Sequence, residues 1–103
     1  MPKVRVSVPH NLSADDVKKK AVPMIEKTVK DFEGHDLKLD WQGDQAMFIF
    51  KSMAFSIKGG VIVQSDNVVV EIDLPFAAMM FKDRVQKAVT KNLTRALEAA
   101  EQR

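Results

Sequence analysis

Two histidines and a scatter of aspartates are the side chains here with chemistry to offer. His35 is followed directly by Asp36, and an imidazole beside a carboxylate is one way a metal site begins. No further ligand follows at useful spacing, so the pair reads as part of a solvated loop. His10 stands alone ahead of a helix start, with no neighbour to make it a general base, and it too reads as a solvated loop residue. Asp15-Asp16, Asp36, Asp40 and Asp44 supply carboxylates, yet glycoside hydrolysis or an oxygen-ligated metal needs two or more to converge. Asp40 and Asp44 flank a hairpin turn, where aspartate serves local hydrogen bonds.

The chain has no cysteine, which excludes disulfides, thiolate nucleophiles and sulfur-bound metals, and no tyrosine to act as an acid or base. No serine sits in a nucleophile elbow and no glycine pattern resembles a phosphate loop. The reading is a non-enzyme with no metal and no cofactor.

Positive charge is clustered more than abundant, with a net formal charge of +2. Lys18-Lys19-Lys20, Lys27 and Lys30 fall on one helical segment. Arg84, Lys87, Lys91 and Arg95 fall in a narrow sector of another, opposite its apolar stripe. Such a stripe suits an anionic lipid surface, an acidic partner or plain solvation. Aromatic residues are not interleaved with it, which argues against nucleic acid.

The elements that must position these residues follow from periodicity. Val4, Val6 and Val8 alternate with polar residues as a first strand, closed by Pro9. Ser13 then caps a helix, with Asp16 three residues on and Leu12 placed to staple against Val17. Val17, Ala21, Met24, Ile25, Thr28 and Phe32 give its apolar face, and Pro23 is expected to bend it or end its first half. Gly34-His35-Asp36 reads as the following loop. Leu37, Leu39 and Trp41 form a second strand, and Met47 to Phe50 return as a third with Phe48 and Phe50 inward. Phe55, Ile57, Val61 and Val63 share one parity in a fourth, where Gly59-Gly60 suggests a bulge or a sharp bend that curls the sheet. Val68, Val70, Ile72 and Leu74 make the fifth.

From Ala77 onward the pattern is helical, with Val85, Val89, Leu93, Ala96, Leu97 and Ala100 on one face. A continuous helix of about 26 residues would be roughly 39 Å long. The expected fold is a single α+β domain over residues 1–103: a curled antiparallel sheet of about five strands in the order β-α-β-β-β-β-α, packed on a long C-terminal helix. That architecture resembles a reduced helix-grip fold. No apolar window approaches a membrane span, and Met1-Pro2-Lys3-Val4-Arg5 builds no signal-peptide core, so the cytoplasm is the expected compartment.

Leu74-Pro75-Phe76-Ala77-Ala78-Met79-Met80-Phe81 is apolar without interruption, more than a half-buried strand or one helix face needs. Leu74, Phe76 and Phe81 are expected mainly to close the core. Met79 and Met80 are left as an adaptable contact, so Phe76, Met79, Met80 and Phe81 form the candidate apolar surface.

Val6-Ser7-Val8-Pro9-His10 with Leu12-Ser13, the Trp41 strand, Phe48-Ile49-Phe50-Lys51 and Asp73-Leu74-Pro75-Phe76-Ala77-Ala78 with Phe81-Lys82 carry a family likeness. Over nearly its whole length the chain resembles the small polyhydroxyalkanoic acid system proteins of bacteria. The resemblance implies a role in forming or regulating polyhydroxyalkanoate granules, with the granule surface or a granule coat protein as partner; it brings no catalytic residues. A homodimer through residues 76–81 is a competing use of the same surface. A second reading is a binder of an apolar acyl ligand, held between sheet and C-terminal helix by Trp41, Phe48, Phe50, Phe55 and Ile57.

Overall fold

The computed structural model describes residues 3–101 and the side chains of residues 3–98. The elements are β1 (Lys3–Pro9), α1 (Ala14–Asp31), β2 (Gly34–Gln42), β3 (Gln45–Ser52), β4 (Phe55–Val63) and β5 (Asn67–Asp73). A 3-10 helix (Phe76–Phe81) and α2 (Lys82–Glu101) follow. The expectations for Met1, Pro2 and Ala100 lie outside the described backbone or side chains.

All five strands form one antiparallel, curled sheet in the order β1-β5-β4-β3-β2. The two strands that flank α1 in the chain therefore lie at opposite edges. The 18 residues of α1 are about 27 Å long, enough to cross five strands spaced roughly 19 Å in all. Both helices cover one face of the sheet, α1 toward β2 and α2 toward β1, and they pack against each other. The curled sheet and long C-terminal helix are as expected, but α1 shares the cover.

Alternation explains which face is buried, with Val69 of β5 the exception, buried between Val68 and Val70. Val4, Val6, Phe48, Phe50, Ile57, Val61, Val63, Val68, Val70 and Ile72 point to the helices and are buried there. Val17, Met24, Ile25 and Val29 of α1 meet Val85, Val89, Leu93 and Leu97 of α2 in the same core.

The start of α1 is as the sequence implies. Asp16 donates its backbone N–H to Ser13 Oγ at 3.2 Å, and Asp15 and Asp16 sit at the positive end of the helix dipole.

Two expectations are narrowed, at Pro23 and Gly59-Gly60, and two are corrected. Pro23 neither ends α1 nor divides it. Its missing N–H leaves only the Lys19 carbonyl without a helical partner, and both residues lie on the solvent side, where water can serve. Gly34-His35-Asp36 is not a loop, since β2 begins at Gly34 and the turn is confined to Phe32-Glu33. The bulge lies here, between His35 and Lys38, with Asp36 in left-handed backbone at φ +55°.

No bulge occurs at Gly59-Gly60, because β4 keeps register with both neighbours. Gly59 is instead a close approach: a Cβ there would strike the Phe48 ring and lie 2.6 Å from the Glu71 carbonyl oxygen. Finally, no continuous helix starts at Ala77. The apolar run forms the 3-10 helix, and α2 is 20 residues, about 30 Å long.

Candidate functional site

The 3-10 geometry decides how the apolar run is presented. With three residues per turn, side chains at i and i+3 share a face. Pro75, Ala78 and Phe81 make the inward row: Ala78 is buried, and Pro75 and Phe81 are partly so. Pro75 starts the turn with extended backbone, and its carbonyl accepts the Ala78 N–H at 2.9 Å. The other two rows point outward. Phe76 is 70% exposed, Met79 52% and Met80 81%.

Leu74 closes the core as expected, buried to 1% exposure. Phe76 does not: it lies off the inward row of Pro75, Ala78 and Phe81, and the period of three places it beside Met79. Phe81 packs one side on the core.

The basic residues begin one residue beyond. Lys82, Arg84, Lys87, Lys91 and Arg95 are all exposed. None of the five forms an ion pair among the described residues. Lys91 lies near enough to Asp31 to help hold its carboxyl below the usual range. The lysines of α1 are partly engaged: Lys27 is ion-paired to Asp31 at 3.1 Å, and Lys18 to Asp44 at 2.8 Å. Lys18 also stands 5.9 Å from the Trp41 ring centroid, so Asp44 fastens the hairpin to α1 as well as serving its turn.

The residues expected to line a ligand pocket do not form one. Phe48, Phe50 and Ile57 are buried in the core, and the rings of Phe48 and Phe50 stack with centroids 6.3 Å apart. The space left between them and the helices is about 10 Å³, room for one water at most. Trp41 stands with Lys18 at the hairpin, and Phe55 lies at the sheet's other turn. Side chains large enough to wall a cavity have filled it.

His10 is also corrected. It is 5% exposed, not solvated. Its Nδ1 accepts the Leu12 N–H at 3.1 Å, which leaves the proton on Nε2 to donate to the Gln64 carbonyl at 2.9 Å. Both nitrogens are spent joining the β1–α1 and β4–β5 connections, so the ring is a strut. His35 and Asp36 are exposed with 3.9 Å between their nearest polar atoms, and no cluster of three metal-ligating side chains occurs among the described residues.

One polar group escaped the sequence reading entirely. Asn92 is buried between the helices, where Nδ2 donates to Thr28 Oγ1 at 2.9 Å and to Asp31 Oδ2 at 3.0 Å. Thr28 passes its own hydroxyl proton to the Met24 carbonyl at 2.9 Å. An asparagine in the apolar stripe of α2 was the available signal.

No helix among the described residues is long and apolar enough to cross a membrane. Among curated proteins none matches this chain. Among solved structures, the crystal structure of TTHA0849 from Thermus thermophilus aligns over 95% of each chain, at 15% identity and a TM-score of 0.41. A family profile described as "Putative polyhydroxyalkanoic acid system protein" matches residues 4–97. The match takes in all five strands, α1, the 3-10 helix and most of α2, and the chain belongs to that polyhydroxyalkanoic acid system family.

Proposed function

We propose that this protein is a non-enzymatic accessory of polyhydroxyalkanoate storage that attaches to granules through the 3-10 helix. The observation that carries the reading is the outward display of Phe76, Met79 and Met80 on a single short helix. A storage granule is an apolar polymer under an amphipathic coat, and an apolar tip followed by exposed Arg84, Lys87, Lys91 and Arg95 suits such a surface. Methionine suits a surface with no fixed shape, because its side chain adapts to what it meets.

Burying the three side chains contributes on the order of 5 kcal/mol before association costs. Attachment through them alone is weak and reversible, so the basic sector of α2 supplies the rest. Binding should therefore weaken with salt. The histidines do not favour a catalytic reading: His10 is committed to backbone partners, and His35 is exposed, 3.9 Å from Asp36 and opposite Lys51 on the next strand.

Co-sedimentation with purified granules tests the reading. The wild type pellets with granules, and Met79→Asp/Met80→Asp remains in the supernatant. A dimer through residues 76–81 would hide the same side chains, so sedimentation velocity of the free protein should give a monomer.

A further inference from the structure

A second apolar feature lies apart from Phe76, Met79 and Met80. Where the end of α1, the β3–β4 turn and the first turns of α2 meet, a cleft of about 450 Å³ opens to solvent. That volume lies within the usual range for small-molecule sites, roughly 300–1,000 Å³. Its walls come from three elements far apart in sequence. Phe32, Phe55 and Phe81 each pack one side on the core and remain partly exposed on the other. Ala88 is small enough to leave the space open, and Met53, at the turn, is exposed.

The walls are tied together. Ser52 Oγ donates to the Phe32 carbonyl at 2.6 Å, joining the end of β3 to the end of α1. Two of the three non-glycine residues with left-handed backbone among the described residues also line this cleft, Glu33 at φ +54° and Met53 at φ +56°. Such backbone is costly for a side-chain-bearing residue and clusters at sites where geometry serves a ligand.

Charge at the rim sets the polarity of an occupant. Asp31 has both carboxylate oxygens engaged, by Lys27 and by Asn92. Arg84 lines the cleft with no ion-pair partner among the described residues, and its planar guanidinium suits a carboxylate held through two bonds. Glu33 also lines the cleft and is the opposing charge.

We infer that this cleft binds one medium-chain alkanoate, with its hydrocarbon tail among Phe32, Phe55 and Phe81 and its carboxylate on Arg84. This goes beyond granule attachment and shares only Arg84 with the basic sector proposed there. It also differs from a pocket between sheet and helix, which the core fills.

Titration of the ¹⁵N-labelled protein with octanoate, monitored by amide shifts, tests the inference. Shifts should centre on Met53, Ala54, Phe55, Arg84 and Ala88. From hexanoate to octanoate each added methylene should tighten binding about threefold to fourfold. Arg84→Gln, at an exposed position, should weaken octanoate about tenfold. Ala88→Leu, which keeps a good helix former and fills the cleft, should abolish the shifts while the spectrum stays dispersed.

Three results would each overturn the inference: no shifts at these amides, octanoate binding unchanged in Arg84→Gln, or octylammonium binding more tightly than octanoate. The last would give the rim's polarity to Glu33. Met79→Asp/Met80→Asp should bind octanoate normally, and Ala88→Leu should still pellet with granules, so the two readings fail separately.

Discussion

Asn92 of α2 donates its side-chain amide to Asp31 of α1 at 3.0 Å, across 61 residues of sequence. The same nitrogen reaches Thr28 Oγ1, one helical turn earlier on α1, at 2.9 Å. Two helices that otherwise meet through interchangeable apolar side chains are thereby pinned in one register. That register sets where α2 begins, and so where the 3-10 helix holds Phe76, Met79 and Met80. The internal polar bridge and the external apolar tip are parts of one arrangement.

Replacing Asn92 with alanine removes both bonds and leaves the Thr28 oxygen short of a donor at the helix interface. The expected loss is about 2 kcal/mol, with a fall in Tm on the order of 10 °C. Urea unfolding followed by Trp41 fluorescence and by circular dichroism measures it. An unchanged midpoint would mean that apolar packing alone holds the helix pair.

The same bridge makes a prediction about acid. Asp31 is held below the ordinary carboxyl value of 3.8, first by the Asn92 hydrogen bond and then by that from Lys27. A carboxyl lowered by folding contributes stability that is present above its unfolded value and lost as pH falls through the folded one. The wild type's advantage over Asn92→Ala should therefore be full near neutrality and narrow below about pH 4. In Asn92→Ala the Asp31 carboxyl, followed by NMR, should titrate at higher pH than in the wild type.

Gly59 and Phe48 are expected to be coupled. An added methyl at Gly59 must displace the Phe48 ring, so Gly59→Ala should cost about 2–3 kcal/mol. In Phe48→Leu the ring is gone and the same change should cost less, so the double-mutant cycle should show a clear interaction energy. Additive costs would show that the Glu71 carbonyl, not the ring, makes this position glycine.

Much of the scaffold was legible because it rests on local pattern. The alternation of Val4 and Val6, the Ser13 cap, and the helical spacing from Val85 to Leu97 each declare an element within a few residues. The candidate site was legible in part. The surplus of apolar residues at 74–81 was visible, but eight apolar residues in a row satisfy a period of three as readily as one of 3.6. Only packing, with Ala78 and Phe81 as the inward row, decides that Phe76 faces out.

The remaining features depend on partners distant in the chain. His10 gives no local sign that Gln64, 54 residues on, will accept its proton. Asn92 stands in the apolar stripe of α2 with no local sign that Thr28 and Asp31 will lie beside it. Gly59 suits a bulge and a ring contact equally well, and the neighbouring strand chooses between them. The filled interior has the same origin: aromatic residues that alternate along a strand line a cavity or plug one, and the closeness of the helices settles which.

The central claim is that the 3-10 helix is the attachment surface. Its most direct test is a binding isotherm on purified polyhydroxyalkanoate granules for the wild type and for Met79→Asp/Met80→Asp, each at low and high salt. Saturable binding by the wild type, weakened by salt and reduced at least tenfold in the variant, is the predicted result. Wild-type protein that stays free, or a variant that binds as tightly as the wild type, would contradict it.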